Sequence, residues 1–361
     1  MIKTMVGKPA RIFACIVLLP WAAISQDIIE NPDKPSNPKA GRVLGLREEL
    51  RITDEGGKFF FRYPRNIKVA PDGSYFVSDQ EELLRFDPKG AFVRNFFKKG
   101  QGPGELSYVD NFDFDKDLLI VHNNNPNKFI WFSFDGAVVN ELRLHDLSRL
   151  DFKHLHDAVF YGFKTGRMDM GGRIEVIGLP HILLAISRDG TSVKELASFP
   201  VETLATDTAW ASATSLIAVP YRDRYLFLSH TPDYLIKLCD IRTGEVLRSF
   251  NRKYKRVKRP EGRGGAAIII GGTVHKPPGS DYLSDISDLF VFQDVLWVLT
   301  PTRREGKGFL VDVFDITGRY VDAFFLDIKG RLMGTHGDCV FVREQDEDGL
   351  ISVVKFRVVD E

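Results

Sequence analysis

His122 and His230 each stand just after an apolar run that ends in a polar turn. Imidazoles at such places are natural first ligands for Zn²⁺, so the pair is the weak candidate for a Zn or Ca site in a chain otherwise expected to hold no cofactor. His154 and His156 follow a presumed loop on the same side. None of these histidines sits in a helical HExxH pattern, and isolated turn histidines are the plainer reading. Asp113-x-Asp115-x-Asp117 opens like a calcium loop, but Leu118 replaces the glycine at position six and Asn124 the glutamate at position twelve. The alternation instead reads as a strand, with Phe112 and Phe114 on one side and the aspartates on the other. Gly100-x-Gly102-x-x-Glu105 has phosphate-loop glycines, yet a strand follows it where a phosphate site needs a helix N-terminus. There is no GxSxG elbow, CxxC pair or haem motif, so no catalytic residue is assigned.

Binding chemistry is better represented. Arg252-Lys253-Tyr254-Lys255-Arg256-Val257-Lys258-Arg259 is a dense basic run, followed by Gly264-Gly265-Ala266-Ala267-Ile268-Ile269-Ile270-Gly271-Gly272. Read plainly, this is a solvated flexible loop; read functionally, it attracts anionic ligands. The isoleucine triplet is an extra strand or a tip that touches a partner. Trp210 offers a stacking surface. Asp79, His122, Asn123, Trp210, His230, Arg252, Lys253, Lys255 and Arg256 are therefore the candidate ligand-face residues.

What could position them is a repeat. Phe86-Asp87-Pro88-Lys89-Gly90-Ala91-Phe92-Val93 returns as Phe314-Asp315-Ile316-Thr317-Gly318-Arg319-Tyr320-Val321, with equivalent turns at Gly136, Gly190 and Gly244. Each glycine falls where a tight hairpin needs positive φ. Successive glycines lie 46, 54, 54 and 74 residues apart, the period of four-stranded propeller blades, with an insertion in the last gap. Blades are expected at about 65–97, 109–143, 155–198, 213–250 and 284–325. Residues 329–358 supply only three further strands, and 42–52 is the orphan that would complete them, since an open edge is costly in a ring. The fold class is all-β: a six-bladed β-propeller whose N-terminal strand closes the last blade.

The run Tyr63-Pro64-Arg65-Asn66-Ile67-Lys68-Val69-Ala70-Pro71-Asp72-Gly73-Ser74-Tyr75-Phe76-Val77-Ser78-Asp79, then Leu84-Arg85-Phe86-Asp87 and the Gly-rich link at 100–105, resembles six-bladed propellers of the NHL-repeat and TolB-like kind. The match is closest to secreted bacterial members of that group. The resemblance implies the fold much more strongly than an activity. Some lyases and lactonases of that kind hold metal around the central channel.

Residues 1–25 read as a secretion signal: Lys3, Lys8 and Arg11, an apolar stretch, then Ala23 and Ser25 before a cut at Gln26. The apolar stretch is short for a membrane span, although a retained anchor is the alternative. Cys15 lies inside the stretch, where a lipidated cysteine would not. Residues 26–40 read as a flexible leader and 41–361 as the propeller. Removing the signal leaves 46 basic against 49 acidic residues, so no global charge draws the protein to nucleic acid. Membrane contact would run only through the signal or the basic loop. Cys239 and Cys339 fall in separate apolar runs and read as buried free thiols.

These features define a periplasmic or secreted propeller, monomeric and non-catalytic. It would bind or scaffold a protein, peptide or glycan on the face carrying the inter-blade loops. The alternative is a lactonase-like, metal-assisted hydrolase or lyase with its site at the mouth of the central channel.

Overall fold

A computed structural model describes residues 27–54, 56–145, 147, 149–166, 170–261 and 265–359. The signal expected at 1–25 lies outside them. Among the described residues there is no helix, and strands gather into six sheets plus one small hairpin. In blade one, Pro64–Val69, Tyr75–Asp79, Glu82–Phe86 and Phe92–Asn95 form a four-stranded antiparallel meander. Blade two repeats it with Asn111–Asp115, Leu118–Asn124, Asn127–Ser133 and Val138–Arg143.

The second and third strands carry the burial, as in Tyr75–Asp79, which is inaccessible throughout. Aromatic residues fill the wedges between sheets. Phe76 of blade one meets Phe114 and Phe134 of blade two, and Phe129 of blade two stacks on Phe160 of blade three at 4.0 Å. A ring of twisted sheets leaves wide gaps toward its rim, and phenylalanine is large enough to fill them. The first strands of all six blades face one another around a central channel of about 550 Å³.

Five hairpin glycines were expected from the repeat, and all five adopt positive φ between 71° and 91°. They have a second duty. A Cβ on Gly90 would stand 2.9 Å from Leu50 of blade six, and one on Gly318 would stand 2.9 Å from Phe250 of blade four. The turn of each blade thus presses on the outer strand of the blade before it, and a side chain there would wedge the ring apart. Blade six has no such turn, because that is where the ring closes. Its outer strand is Gly45–Ile52, antiparallel to Ile351–Val359. The expected closure holds for residues 45–52, but Arg42–Val43 pairs in parallel with Tyr320–Leu326 of blade five.

The described part of the stretch expected as a leader at 26–40, residues 27–40, is also built into the ring. Ile28–Asn31 pairs in parallel with Val246–Arg252, the outer strand of blade four. Asn31 is buried; it donates to the Asn251 and Gly318 carbonyls and accepts from the Tyr320 amide. Ser36 and Asn37 continue along Tyr320 and Val321, and Gly41 bonds to Ala323. The N-terminal strap therefore crosses the rims of blades four and five before entering blade six. Prolines and polar residues resembled a mobile leader, but their backbone groups satisfy edge strands that would otherwise be open.

Asn31→Ala would leave the Gly318 carbonyl and the Tyr320 amide buried without partners. It is expected to destabilise the protein by about 1–3 kcal/mol in urea denaturation. A smaller change would mean that the strap only rests on the ring.

Candidate functional site

Antiparallel strands assign every connection to one of two faces. Links between blades, and the loops joining second to third strands, open on one side, the link face. Turns joining first to second and third to fourth strands open on the other, the turn face.

Two protrusions rise from the link face. Glu175–Ser187 and Val193–Ala205 of blade three are 13 residues each, well beyond the expected limit of that blade, and Trp210–Ala211 adds a short fifth strand. The link between blades four and five carries the hairpin Ile268–Ile270 and Thr273–His275, so the isoleucine triplet is a strand. The protrusions touch: Ile268 is buried with Leu204 and Ala211. Their crest leaves Trp210 57%, Ile269 70%, Ile270 42%, Val274 55% and Val176 49% exposed. Beneath it runs a groove of about 670 Å³, lined in part by Lys258, Arg259, Lys276 and Tyr282. Lys253, Lys255, Lys258 and Lys276 are exposed, with Glu261 and Asp281 the acidic groups of the groove.

The candidates divide sharply. Lys253, Lys255 and Trp210 are exposed on the link face. Arg252, expected in a flexible loop, belongs to an outer strand and is nearly inaccessible. It pairs with the fully buried Asp312 at 2.6 Å among the rings of Tyr234, Tyr254 and Tyr320. Tyr234 and Tyr320 also donate to Asp312, at 2.8 and 2.6 Å. Burial opposes the charge on Arg252, but the attraction of Asp312 overrides it and raises the guanidinium pKa. Arg256 lies over Tyr282 and bonds Asp285 at 3.2 Å. The basic run therefore splits by alternation. Its inward arginines anchor the insertion and its outward lysines remain available.

Asp79 and Asn123 are buried fasteners. Asp79 accepts the amides of Arg62 and Tyr63 at 2.6 Å each. Asn123 accepts those of Ser107 and Tyr108, and donates to the Pro126 carbonyl. Each ties the link entering its blade to the end of that blade's second strand. The link at 100–105 is held similarly: Glu105 accepts from Gly102, Glu141 accepts from Gly104, and the fully buried Lys128 bonds the Gly102 carbonyl and Glu141. Its amides are occupied by carboxylates, so it is a structural link.

His122 and His230 are not brought together. His122 is buried against Phe129, its Nε2 is 2.9 Å from Asn127 Oδ1, and burial pushes its pKa down to about 4. His230 bonds the Pro200 carbonyl through Nδ1 and Lys237 through Nε2, and burial first, then Lys237, lowers its pKa. Each imidazole is engaged within its own part of the ring. His154 and His156 were expected on the link side; instead they lie on the first strand of blade three, Asp151–His156, which ends on the turn face. Cys239 and Cys339 are buried free thiols, as expected.

Residues 56–179 match the model of a family, DUF5128, described as a six-bladed β-propeller. No curated protein matches the chain in sequence. Among solved structures, a Bacteroides fragilis protein named for inferred export aligns with TM-score 0.59 and 14% identity, covering 92% of this chain and all of that one. A DUF4221 family member from Bacteroides vulgatus aligns at 0.56 and 10% identity, covering 89% and 99%. A gluconolactonase from Xanthomonas campestris reaches only 0.44 at 12% identity, over 88% and 98%, too distant to bear on chemistry. The chain is a six-bladed β-propeller, similar in fold to these proteins.

Two tests bear on the polar anchors. Arg252→Ala strands the Asp312 carboxylate and is expected to cost about 3–5 kcal/mol in chemical denaturation. A loss below about 1 kcal/mol would mean that Asp312 finds water or a new partner. Burial raises the Asp285 pKa from 3.8 to about 6 despite Arg256. The folded state then holds this proton more tightly than the unfolded chain does. Its contribution is complete below pH 3.8 and is lost as pH rises through 6. Between those limits, wild type should lose stability relative to Asp285→Asn; parallel profiles would refute the assignment.

Proposed function

We propose that this protein is a non-catalytic binding propeller of the NHL-repeat or TolB-like kind, exported from the cell, whose crest on the link face captures another protein. The supporting observation is the joined pair of protrusions, where exposed aliphatic side chains stand beside a row of lysines. Contiguous exposed apolar surface rimmed by charge is characteristic of protein contact sites. The aliphatic residues favour polypeptide over glycan, because Trp210 is the single aromatic among the exposed side chains of the crest named above. The four exposed lysines favour a partner segment that is acidic beside its apolar anchors. Support for export comes from the basic and apolar N-terminus and from the name of the Bacteroides fragilis neighbour.

The test is selection of peptides from a random display library on the full chain, followed by titration of the winners. Acidic peptides with aliphatic anchors should emerge. Their affinity should fall about tenfold or more for Ile269→Ser with Ile270→Ser, and for Lys253→Glu with Lys255→Glu. Retained affinity in both variants, or binding confined to a glycan array, would overturn the reading. These substitutions leave Arg252 and Arg256 in place, so the insertion keeps its anchors.

A further inference from the structure

We infer that the opposite mouth of the channel, on the turn face, is a binding site for a divalent transition metal. His154, His156 and Asp223 would be its protein ligands. One ligand atom from each lies within 4.8 Å of the others. Nε2 of His154 and Nδ1 of His156 are each 3.8 Å from Oδ1 of Asp223.

The strand creates this arrangement through an irregularity. Phe152 packs in the core, and Leu155 packs against the same core although it lies three residues on. The odd step is absorbed by a register shift between Phe152 and His154, a bulge at Lys153. Beyond it, His154 and His156 share the side opposite Leu155, with their rings parallel to within 5° and centroids 6.3 Å apart. Asp223 comes from the first turn of blade four. The arginines beside it are engaged elsewhere: Arg222 with Asp294 at 2.9 Å, and Arg224 with Asp240 at 2.8 Å.

The surroundings orient both imidazoles. Nδ1 of His154 is 3.4 Å from Oδ2 of Asp113. Lys68 pairs with the other oxygen of that carboxylate at 3.0 Å. With Nδ1 turned to the Asp113 carboxylate, Nε2 of His154 faces the site. That Nε2 is buried without a hydrogen-bond partner. On the other side, Nε2 of His156 is 3.0 Å from Asp157 Oδ2 and 2.9 Å from Arg242. Arginine only donates, so Nε2 of His156 accepts from Arg242; with a metal on Nδ1, the ring proton would move to Nε2 and be donated to Asp157 instead, which Arg242 also holds at 3.2 Å. Carboxylates behind both imidazoles are the usual outer shell of a histidine metal site.

Ligand atoms around tetrahedral zinc stand about 3.3 Å apart. Both distances to Asp223 are wider than this at 3.8 Å, and Asp223, 71% exposed on its turn, can move to shorten them. Two imidazoles and a carboxylate select Zn²⁺ or a similar first-row ion over Ca²⁺ or Mg²⁺, and the remaining position opens to solvent for water or an anionic ligand. This site is independent of the crest and shares no residue with it.

Equilibrium dialysis of the metal-stripped full chain against Zn²⁺, with elemental analysis, should give one ion per chain. Co²⁺ substitution should give the intense visible bands of a four- or five-coordinate ion. His156→Ala should weaken binding about 100-fold and Asp223→Asn about tenfold, while Asp113→Asn, which removes the orienting carboxylate together with the ion-pair partner of Lys68, should weaken it about tenfold. His145→Ala, at an exposed histidine away from the cluster, should change nothing. Failure to bind Zn²⁺, binding unaltered by His156→Ala and Asp223→Asn, or preference for Ca²⁺ would overturn the inference. Asp223 and His156 are surface-proximal, so folded variants are expected, and thermal melts of each confirm that lost binding is not lost fold.

Discussion

Everything in this ring depends on the pairing of Gly45–Ile52 with Ile351–Val359, which makes one sheet from both ends of the chain. A propeller without that seam is a curved row of sheets with two open edges, and each terminal blade then faces a neighbour on one side only. The seam joins residues about 300 positions apart, so its loop-closure entropy is large but grows only slowly with length. Hydrogen bonding along the whole of Gly45–Ile52 offsets it, together with Leu50 and Ile52, which pack into the cluster joining blades six and one.

The strap before the seam reinforces it in a particular way. Parallel pairing of Ile28–Asn31 with blade four and of Arg42–Val43 with blade five covers edges that a four-stranded blade leaves exposed. Asn31 then reaches from the rim of blade four to the hairpin of blade five through the Gly318 carbonyl. That hairpin already abuts Phe250 of blade four, so the strap secures an inter-blade contact that admits no side chain at position 318. Covering the edges also discourages edge-to-edge association between copies.

Much of this was legible in the residues and some was not, for physical reasons. The turn glycines were visible because two constraints, positive φ and contact with the preceding blade, coincide on one residue type. The seam was visible because blade six lacked a strand. The strap was hidden: edge strands that bury little apolar surface carry no period-two pattern, and Ile28-Ile29-Glu30-Asn31 is too short to show one. His154 and His156 were placed on the wrong face because the first strand of blade three begins at Asp151. A four-residue error in a strand boundary moves a side chain from one mouth of the channel to the other. Arg252 read as solvated because its partners Asp312 and Tyr320 lie 60 and 68 residues downstream, out of reach of local patterning.

The two mouths of the channel now have different chemistry, and the topology explains why. Links vary freely in length, so the link face can grow protrusions such as the crest without disturbing a sheet. Turns of two or three residues cannot grow; what the turn face can offer is precision, with side chains fixed by strands on either side. A bulge in one first strand and a turn in the next blade bring His154, His156 and Asp223 together with no insertion at all. Lys68 and Asp113 connect blades one and two along the channel wall, and His154 extends that contact to blade three. Ligation at the turn face would therefore tighten the same wall of first strands that carries the link face, through charge pairs rather than through any moving loop. The ring is rigid where the metal ligands need it and permissive where the crest needs room.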